Sequence, residues 1–351
     1  MKRMAESDPT IRERLLPYQG TWHLPWVVQR YLRPALKSMT PAKLVNAAMA
    51  LIEMKMGLTH VASRPYVLRI EPCNVCSLRC PNCVCGANLD PRPKGFMKLD
   101  NFRKILEQNK ATAMILRLDG MGEPSLHPEL FTMVRMAKAY GLSVSISSNL
   151  WTPAWKDPYP WLHCGLDRLV VSIDGITQES FKRYRVGADL AIVVARLRRF
   201  LRARAERGLC SPLTEVQFID FGYNHGEIPE MRRLARQWGA DRFEVVSPQA
   251  AMYNAHVDSS RPQRCFWLWS VLTVGWNLDY RACTNSWSVP WPRLNLCNLS
   301  IQEFWNHPLM LEARKFNLGR TSKVIAEDPG CRCHRCLEML VSPLSGPYFC
   351  E

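Results

Sequence analysis

The stretch YVLRIEPCNVCSLRCPNCVCG, residues 66–86, places a cluster of cysteines directly behind a short apolar run. The run at residues 66–71 has the length and the β-branched content of a buried β-strand. Cys76, Cys80 and Cys83 follow it with the spacing C-x3-C-x2-C. Thiolates are soft ligands that select zinc or iron–sulfur centres. The stretch therefore predicts a thiolate metal site at the end of a strand.

The number of cysteines in this loop separates two kinds of metal site. A structural zinc ion is usually held by four protein ligands in a tetrahedron. Three thiolates on one loop would instead leave one iron of a [4Fe–4S] cube open to a chelating small molecule. Cys73 and Cys85 stand outside the three-cysteine spacing, and we interpret them as non-ligands. The alternative is that one of them completes a four-thiolate zinc site.

The composition of the whole chain is that of a globular protein. Its 351 residues are 47% apolar, enough to bury a sizeable core. No apolar run approaches the ~20 residues of a membrane span, and the start MKRMAESDPT lacks the apolar region of a secretory signal. We therefore expect a cytoplasmic protein. In that reducing compartment, fourteen cysteines indicate metal binding rather than a disulfide scaffold.

The formal net charge of +15 favours anionic partners, and its alternative explanation is solubility. The densest basic run, VARLRRFLRARAERG at residues 194–208, carries apolar residues at helical spacing. Its arginines should therefore lie on the solvated face of an outer helix. Since no sequence signature of an RNA-binding module is present, nucleic acid is not an expected partner.

From residue 66 onward, short β-branched runs alternate with helical patterns. The alternation predicts a parallel sheet of βα units, with its chemistry at the carboxyl ends of the strands. Because six strands are fewer than the eight of a closed barrel, we predict an α/β fold, a partial (β/α)6 TIM-like barrel. The predicted strands are YVLRIE, AMILRLD, SVSISS, RLVVSID, EVQFIDF and RFEVV.

The chain divides into three segments by pattern. Residues 1–65 read as a helical N-terminal extension and residues 66–250 as the partial barrel. In residues 251–351 the periodicity weakens and Trp, Pro, Asn and Cys become frequent, which predicts a small, loop-rich, Cys-rich metal-binding domain. We interpret the basic, Trp-bearing N-terminal segment as a packed cap. Its alternative role is contact with a membrane surface or a partner, which would make the protein membrane-peripheral.

The motif EPCNVCSLRCPNC resembles the signature of the radical S-adenosylmethionine (SAM) superfamily. The resemblance implies a [4Fe–4S] cluster on Cys76, Cys80 and Cys83, with SAM chelating the fourth iron. It also implies that one electron from the reduced cluster cleaves SAM into methionine and a 5′-deoxyadenosyl radical, which abstracts hydrogen from a substrate. A reduced flavodoxin- or ferredoxin-type protein would supply that electron.

Polar residues behind the later strands extend the resemblance. DGMGEPSLHPEL resembles the family's GGEP element, with Met121 in place of a glycine, and SSNLW stands where relatives often read Thr-Asn-Gly. Taken one at a time, such residues are also typical of turns and helix caps. The resemblance implies that SAM is contacted by Gly122, Glu123, Pro124, Ser148, Asn149, Ser172, Asp174 and Arg185, and relatives carry a residue similar to Asn224 at its position.

A second set of cysteines lies in the last segment. Cys265 and Cys283 flank a hairpin-like stretch, and Cys333 and Cys336 form a C-x2-C pair. Two such pairs can close one metal site, and their spacing does not separate zinc from iron–sulfur. The stretch NLSIQEFWNHPLMLEARKF resembles the SPASM/twitch extension of radical SAM enzymes. That resemblance implies one auxiliary [4Fe–4S] cluster on these four cysteines.

Two departures from the SPASM/twitch pattern stand in this region. Leu278 occupies a position where a turn glycine is common, and Cys297 one where a Gly-Asn pair is common. A second auxiliary cluster would need Cys297, Cys331 and Cys350. A thiol that donates hydrogen must not be a ligand, and Cys297, Cys350 and Cys85 are the candidates.

The leading hypothesis is a radical SAM enzyme of oxidoreductase or epimerase type. An auxiliary cluster would accept an electron from a substrate radical or shape the substrate pocket. The substrate would be a small molecule, a peptide, a sugar or a lipid-linked metabolite. The alternative is a zinc-dependent or redox-inert binding protein on the same fold, one that binds nucleic acid through its charge.

Overall fold

The computed structural model describes residues 39–246, 265–281 and 294–319. Six parallel strands form the predicted βα sheet, paired in the order β6–β5–β4–β3–β2–β1. The prediction of six strands separated by helices is confirmed. The strands are β1 (Val67–Ile70), β2 (Ile115–Leu118), β3 (Ser143–Ser148), β4 (Arg168–Ser172), β5 (Leu213–Ile219) and β6 (Arg242–Val246).

The sheet continues past β1 with two strands from the third predicted segment. β7 (Val271–Val274) runs parallel to β1, with Val67 opposite Val271, and β8 (Tyr280–Arg281) pairs antiparallel with β7. The hairpin-like pattern was visible in the sequence, but its docking on β1 was not. Pairing between residues about 200 positions apart depends on tertiary packing. The described part of the sheet therefore has eight strands, seven of them parallel.

Helices cover the outer face of the sheet, and their limits follow local signals. Thr40 caps the first helix by accepting a bond from the Lys43 amide, and Gly57 ends it with a left-handed φ of 68°. The described helices are α1 (Pro41–Met56), α2 (Leu99–Asn109), α3 (Leu130–Ala139), α4 (Tyr159–His163), α5 (Gln178–Tyr184), α6 (Leu190–Glu206), α7 (Ile228–Gln237), α8 (Trp267–Ser270), α9 (Ile301–Trp305) and α10 (Pro308–Asn317).

The predicted arrangement of α6 holds except at Arg204, which is buried because its guanidinium pairs with Asp241. Its apolar residues Val193, Leu197 and Phe200 are buried, while Arg198 and Arg202 are exposed. No helix within the described ranges is long and apolar enough to cross a lipid bilayer.

Alternating residues of the strands face opposite sides of the sheet. Leu68 and Ile70 of β1 belong to the large apolar core shared with the outer helices. Arg69 lies between them and therefore faces the interior of the partial barrel. At the amino end of that interior, Ala50 of α1 packs with Val67 and other apolar side chains. The predicted N-terminal helix thus closes the floor of the barrel, while the carboxyl ends of the strands carry the loops described next.

Candidate active site

The three cysteines of the C-x3-C-x2-C motif lie on one loop directly after β1. The Cys83 amide bonds to the Cys80 carbonyl (3.1 Å). A Cβ placed on Gly86 would come within 2.5 Å of the Cys80 backbone nitrogen, so only glycine allows the loop to fold back this closely. Cys80 is buried, Cys76 and Cys83 are half-buried, and all three are free thiols.

Polar groups from the end of β3, from the end of α5 and from the cysteine loop itself reach the thiol sulfurs. The Asn149 side-chain amide, after β3, donates to the Cys76 sulfur (3.8 Å), as does the Leu78 amide (3.4 Å). Burial raises the pKa of the Cys76 and Cys80 thiols, and the Arg185 guanidinium partly offsets this rise at Cys80. Donors aimed at sulfur stabilise a thiolate more than a thiol.

This donor set fits an iron–sulfur cluster. A metal removes the proton of a coordinating thiol, so its charge would offset the burial that raises the two pKa values. A single metal ion requires its ligands around one point. Across the described ranges, no three His, Cys, Asp or Glu side chains converge in that way. A cluster instead binds one thiolate at each of several irons.

The GGEP-like turn after β2 packs directly against the cysteine loop. A Cβ at Gly122 would lie 2.4 Å from the Cys73 carbonyl oxygen and 2.7 Å from that of Val75. The Glu123 amide donates to the Val75 carbonyl (2.8 Å). Pro124 is buried at the start of a short 3-10 turn. Glycine at position 122 therefore permits a backbone contact that any side chain would prevent.

Glu123 holds the end of β3 in place. Its buried carboxylate accepts bonds from the Ser125 amide (3.1 Å), the Ser125 hydroxyl (2.6 Å), the Ser148 hydroxyl (2.7 Å) and the Asn149 amide (2.9 Å). The structure thus brings the predicted residues Glu123, Ser148 and Asn149 into one network that ends at Cys76. Both carboxylate oxygens are engaged by protein donors.

Asp174 and Arg185 form a second buried pair on the other side of the cysteine loop. Arg185 Nε donates to Asp174 Oδ2 (2.5 Å), and the Ile219 amide donates to Asp174 Oδ1 (2.7 Å). Asn224 donates to the carbonyls of Asp174 and Ile219, both at 2.9 Å, and so closes the ends of β4 and β5. Ser172 is half-buried at the end of β4. The pair positions Arg185 beside Cys80.

A family model described as the radical SAM superfamily matches residues 70–234, which include both networks and the cysteine loop. The chain carries a radical SAM domain. This match confirms the family indicated by the motif spacing.

Curated relatives match about half of the chain. The chain is 28% identical over 181 residues to a tungsten-containing aldehyde ferredoxin oxidoreductase cofactor-modifying protein of Pyrococcus furiosus, covering 51% of this chain and 50% of the relative. It is 29% identical over 191 residues to the PqqA peptide cyclase of Gluconobacter oxydans, covering 53% of this chain and 50% of that protein. The chain thus spans about half the length of the curated relatives it matches.

Solved structures share the fold of the radical SAM domain. Streptococcus suis SuiB bound to its precursor peptide SuiA superposes with a TM-score of 0.60 at 14% identity, over 78% of this chain and 71% of that one. The SAM-bound form of SuiB gives a TM-score of 0.59 at the same identity, over 82% and 78%. At 14% identity, the similarity to SuiB shows a shared fold and nothing further.

The two flanking cysteines of the radical SAM domain have protein partners. Cys73 is buried and its sulfur lies 3.3 Å from the Glu123 carbonyl oxygen. The Cys85 sulfur lies 3.2 Å from the Asn74 carbonyl oxygen. Burial raises the pKa of the Cys73 thiol to about 12 and that of Cys85 to about 11. Their interpretation as non-ligands stays a prediction.

A charged network that the sequence did not reveal fastens the segment after the cysteine loop. Arg92 bonds Glu71 through two nitrogens (2.6 and 3.1 Å) and Asp90 through two more contacts (2.8 and 2.9 Å). Glu71 also accepts the amides of Met121 (3.1 Å) and Trp276 (3.2 Å). One buried carboxylate therefore joins β1, the GGEP-like turn and the β7–β8 hairpin. In the sequence, this network was indicated only by an acidic residue, Glu71, at the end of a predicted strand.

Most predicted auxiliary ligands lie outside the described residues, namely Cys283, Cys333 and Cys336, together with Cys331 and Cys350. Cys265 is described, half-buried, and its amide donates to the Asn317 side chain of α10 (2.8 Å). Cys297 is exposed. The auxiliary cluster stays a prediction.

Proposed function

We propose that this protein is a radical SAM enzyme that modifies a peptide. The observation that carries the proposal is the cysteine loop. Of the three free thiols behind β1, Cys76 is reached by Asn149 and Cys80 by Arg185, from two separate networks. Cys76, Cys80 and Cys83 would hold a [4Fe–4S] cluster whose remaining iron binds SAM. When bound, this pair would supply the 5′-deoxyadenosyl radical that abstracts hydrogen from the substrate.

The residues around the loop have separate tasks in this proposal. Asn149 and the Leu78 amide orient the Cys76 sulfur and stabilise its negative charge. Arg185, which Asp174 holds in place, stabilises the negative charge of the Cys80 sulfur. Glu123 fixes Ser148 and Asn149 from within the protein, which makes it a positioning residue. Gly122, Pro124 and Ser172 remain proposed SAM neighbours.

The peptide substrate is supported by the names of relatives. PqqA peptide cyclases are 28–29% identical to this chain over 53–54% of its length, and SuiB, which shares the fold, was solved with a precursor peptide. Sugar and lipid-linked substrates lack comparable support. Deuterium transfer from labelled peptides into 5′-deoxyadenosine would test the class. Transfer from a sugar or a lipid-linked compound, with none from peptides, would contradict it.

We further propose one auxiliary [4Fe–4S] cluster on Cys265, Cys283, Cys333 and Cys336, in a SPASM/twitch-type domain. The Asn317 contact holds the Cys265 backbone against α10. The cluster would aid a net oxidation or shape the substrate site, with epimerisation as the alternative outcome. A flavodoxin- or ferredoxin-type protein would deliver electrons in the cytoplasm, and the N-terminal segment would contact a membrane if the substrate is lipid-linked.

The cysteine assignments are tested by replacement with alanine. Removing Cys76, Cys80 or Cys83 should abolish 5′-deoxyadenosine formation from SAM in the chemically reduced protein. Cys210→Ala, at an exposed thiol, is the matched control and should retain it. Retained SAM cleavage in the triple variant, or a colourless protein that contains zinc and no sulfide, would refute the proposal.

The auxiliary ligands need a separate measurement. Replacing Cys333 and Cys336 should lower the iron content by one cluster and impair turnover more than SAM cleavage. Unchanged iron content would place any second cluster elsewhere.

A further inference from the structure

Side chains on the inner face of the barrel form layers between its floor and the cysteine loop. Val67 and Val271 lie in the apolar floor. Two residues further along, Arg69 of β1 pairs with Thr273 of β7 on one side and with Arg117 of β2 on the other. These three polar residues therefore form the next layer, between the floor and the loop that carries Cys76.

An ion triad occupies this layer. Arg69 Nε donates to one oxygen of Asp119, and Arg117 donates to the other through Nε (3.0 Å) and Nη2 (2.7 Å). The Trp267 ring lies 5.7 Å from the Arg69 guanidinium carbon and 5.8 Å from that of Arg117. Two guanidinium groups thus share the carboxylate of Asp119.

Two donors of the layer are left over. Within the part of the chain that the structure describes, Arg69 Nη1 and the Thr273 hydroxyl have no hydrogen-bond partner. Arg69 is 6% exposed and Thr273 is fully buried. Buried polar groups are almost always hydrogen-bonded, and an orphaned one calls for a ligand or an ordered water. Because the two residues are paired on adjacent strands, their backbones lie about 4.8 Å apart.

We propose that Arg69 and Thr273 form an anion-binding subsite that takes a carboxylate of the substrate. The inference rests on the proposed function, because it assigns the barrel interior below the cysteine loop to the substrate. A guanidinium edge and a hydroxyl supply two donors for the two oxygens of a carboxylate. A carboxylate brings one negative charge next to Asp119, whereas a phosphate dianion would bring two and raise the cost of burying like charges together. Peptides present carboxylates on Asp, Glu and the C-terminus.

The subsite is tested by thermal unfolding of the full-length protein with its iron–sulfur content reconstituted. The probes are sodium acetate, phosphate and chloride at equal ionic strength near neutral pH. Acetate should raise the unfolding temperature above the values in chloride and in phosphate. Arg69→Gln should lose this shift, and Thr273→Val should reduce it by at least half. Arg135→Gln, at an exposed arginine that bonds Thr132, is the matched control and should keep it.

An acetate shift that is unchanged in Thr273→Val overturns the subsite, even if Arg69→Gln fails to fold. A larger shift with phosphate than with acetate, or no shift with any anion, also overturns it. SAM cleavage by the wild-type protein is measured in parallel. Its absence would refute the proposed function and leave the acetate result intact, so the two failures are distinguishable.

Discussion

Two leucines adopt backbone conformations that favour glycine. Leu150 and Leu278 have φ values of 57° and 70°, in the left-handed region that only glycine adopts without strain. The left-handed conformation costs a non-glycine residue about 1 kcal/mol. Both side chains are nonetheless buried, at 0% and 6% exposure. Apolar burial therefore outweighs the backbone strain at these two turns.

This balance predicts an unusual response to glycine at position 278. Leu278→Gly should destabilise the protein no more than Leu278→Ala, because relief of the φ strain offsets the extra loss of side chain. At Leu272, in the buried strand β7, glycine should cost about 1 kcal/mol more than alanine. Denaturant unfolding of the four variants measures both differences. An equal glycine penalty at the two positions would contradict the account of strain.

A second residue-scale prediction concerns acid stability. Burial opposes the charge of Asp119, yet Arg117 and Arg69 lower its pKa from 3.8 to about 2. Because the folded-state pKa is depressed, the stabilisation is present above the ordinary value and is lost as the pH falls towards 2. A difference of this size corresponds to about 2 kcal/mol.

Asp119→Asn should remove this dependence on pH. The variant should be less stable at neutral pH, where the two arginines lose their partner, but should lose less stability on acidification. Urea unfolding between about pH 4 and about pH 2 gives the slope of the unfolding free energy against pH for the wild type and the variant. A slope as steep as that of the wild type would show that other carboxylates dominate.

At the scale of elements, Arg92 fastens the segment between the cysteine loop and α2. Its side chain is 4% exposed and bonds Glu71 and Asp90, whose side chains are fully buried. Removing the arginine would leave both buried carboxylates without the cation that they bond. The same segment packs Gly95 against the Trp276 ring of the β7–β8 turn. Arg92 thus connects the cysteine loop to the β7–β8 hairpin, which precedes Cys283 in the sequence.

Arg92→Ala should therefore destabilise the protein by about 3–5 kcal/mol. The matched control is Arg103→Ala, which breaks an exposed ion pair with Asp100 and should cost less than about 1 kcal/mol. Denaturant unfolding measures both. A difference below about 1 kcal/mol between the variants would mean that water compensates the two carboxylates.

At the scale of the whole molecule, Arg314 ties the N-terminal segment to the C-terminal helices. It is fully buried and donates to the carbonyls of Leu268 (2.9 Å) and Thr59 (2.8 Å). Asn306 exchanges two hydrogen bonds with the Val61 backbone (2.8 and 3.1 Å). These contacts join residues about 250 positions apart, so the described ends of the chain pack together beside β1 and β7.

Arg314→Met should keep much of the side-chain volume but leave these carbonyls unpaired, at a cost of about 3 kcal/mol. The loss should appear as faster amide hydrogen exchange in α1 and residues 57–64. Lys315→Met, which breaks a partly exposed pair with Glu312, is the matched control and should leave that exchange unchanged. Equal protection of α1 in both variants would contradict the role of Arg314.

The sequence was sufficient for the features that depend on local pattern. The six strands and the cysteine motif can be predicted from short segments of sequence, because the alternation of apolar residues and the spacing of ligands each extend over only a few positions. Motif order also placed Glu123, Ser148, Asn149, Asp174 and Arg185 around the cysteine loop. It did not reveal that donors from Ser125, Ser148 and Asn149 converge on the Glu123 carboxylate, because such convergence depends on the packing around it.

Only the tertiary structure decided how distant segments meet. The docking of β7 on β1, the Glu71–Arg92 contact and the layer of Arg69, Arg117 and Thr273 all join residues that are far apart in the chain. A charged residue inside an apolar strand is ambiguous in sequence, since its burial depends on partners that folding supplies. The chain by itself therefore determined the family and the cysteine motif, and three-dimensional packing determined which charges surround the barrel interior.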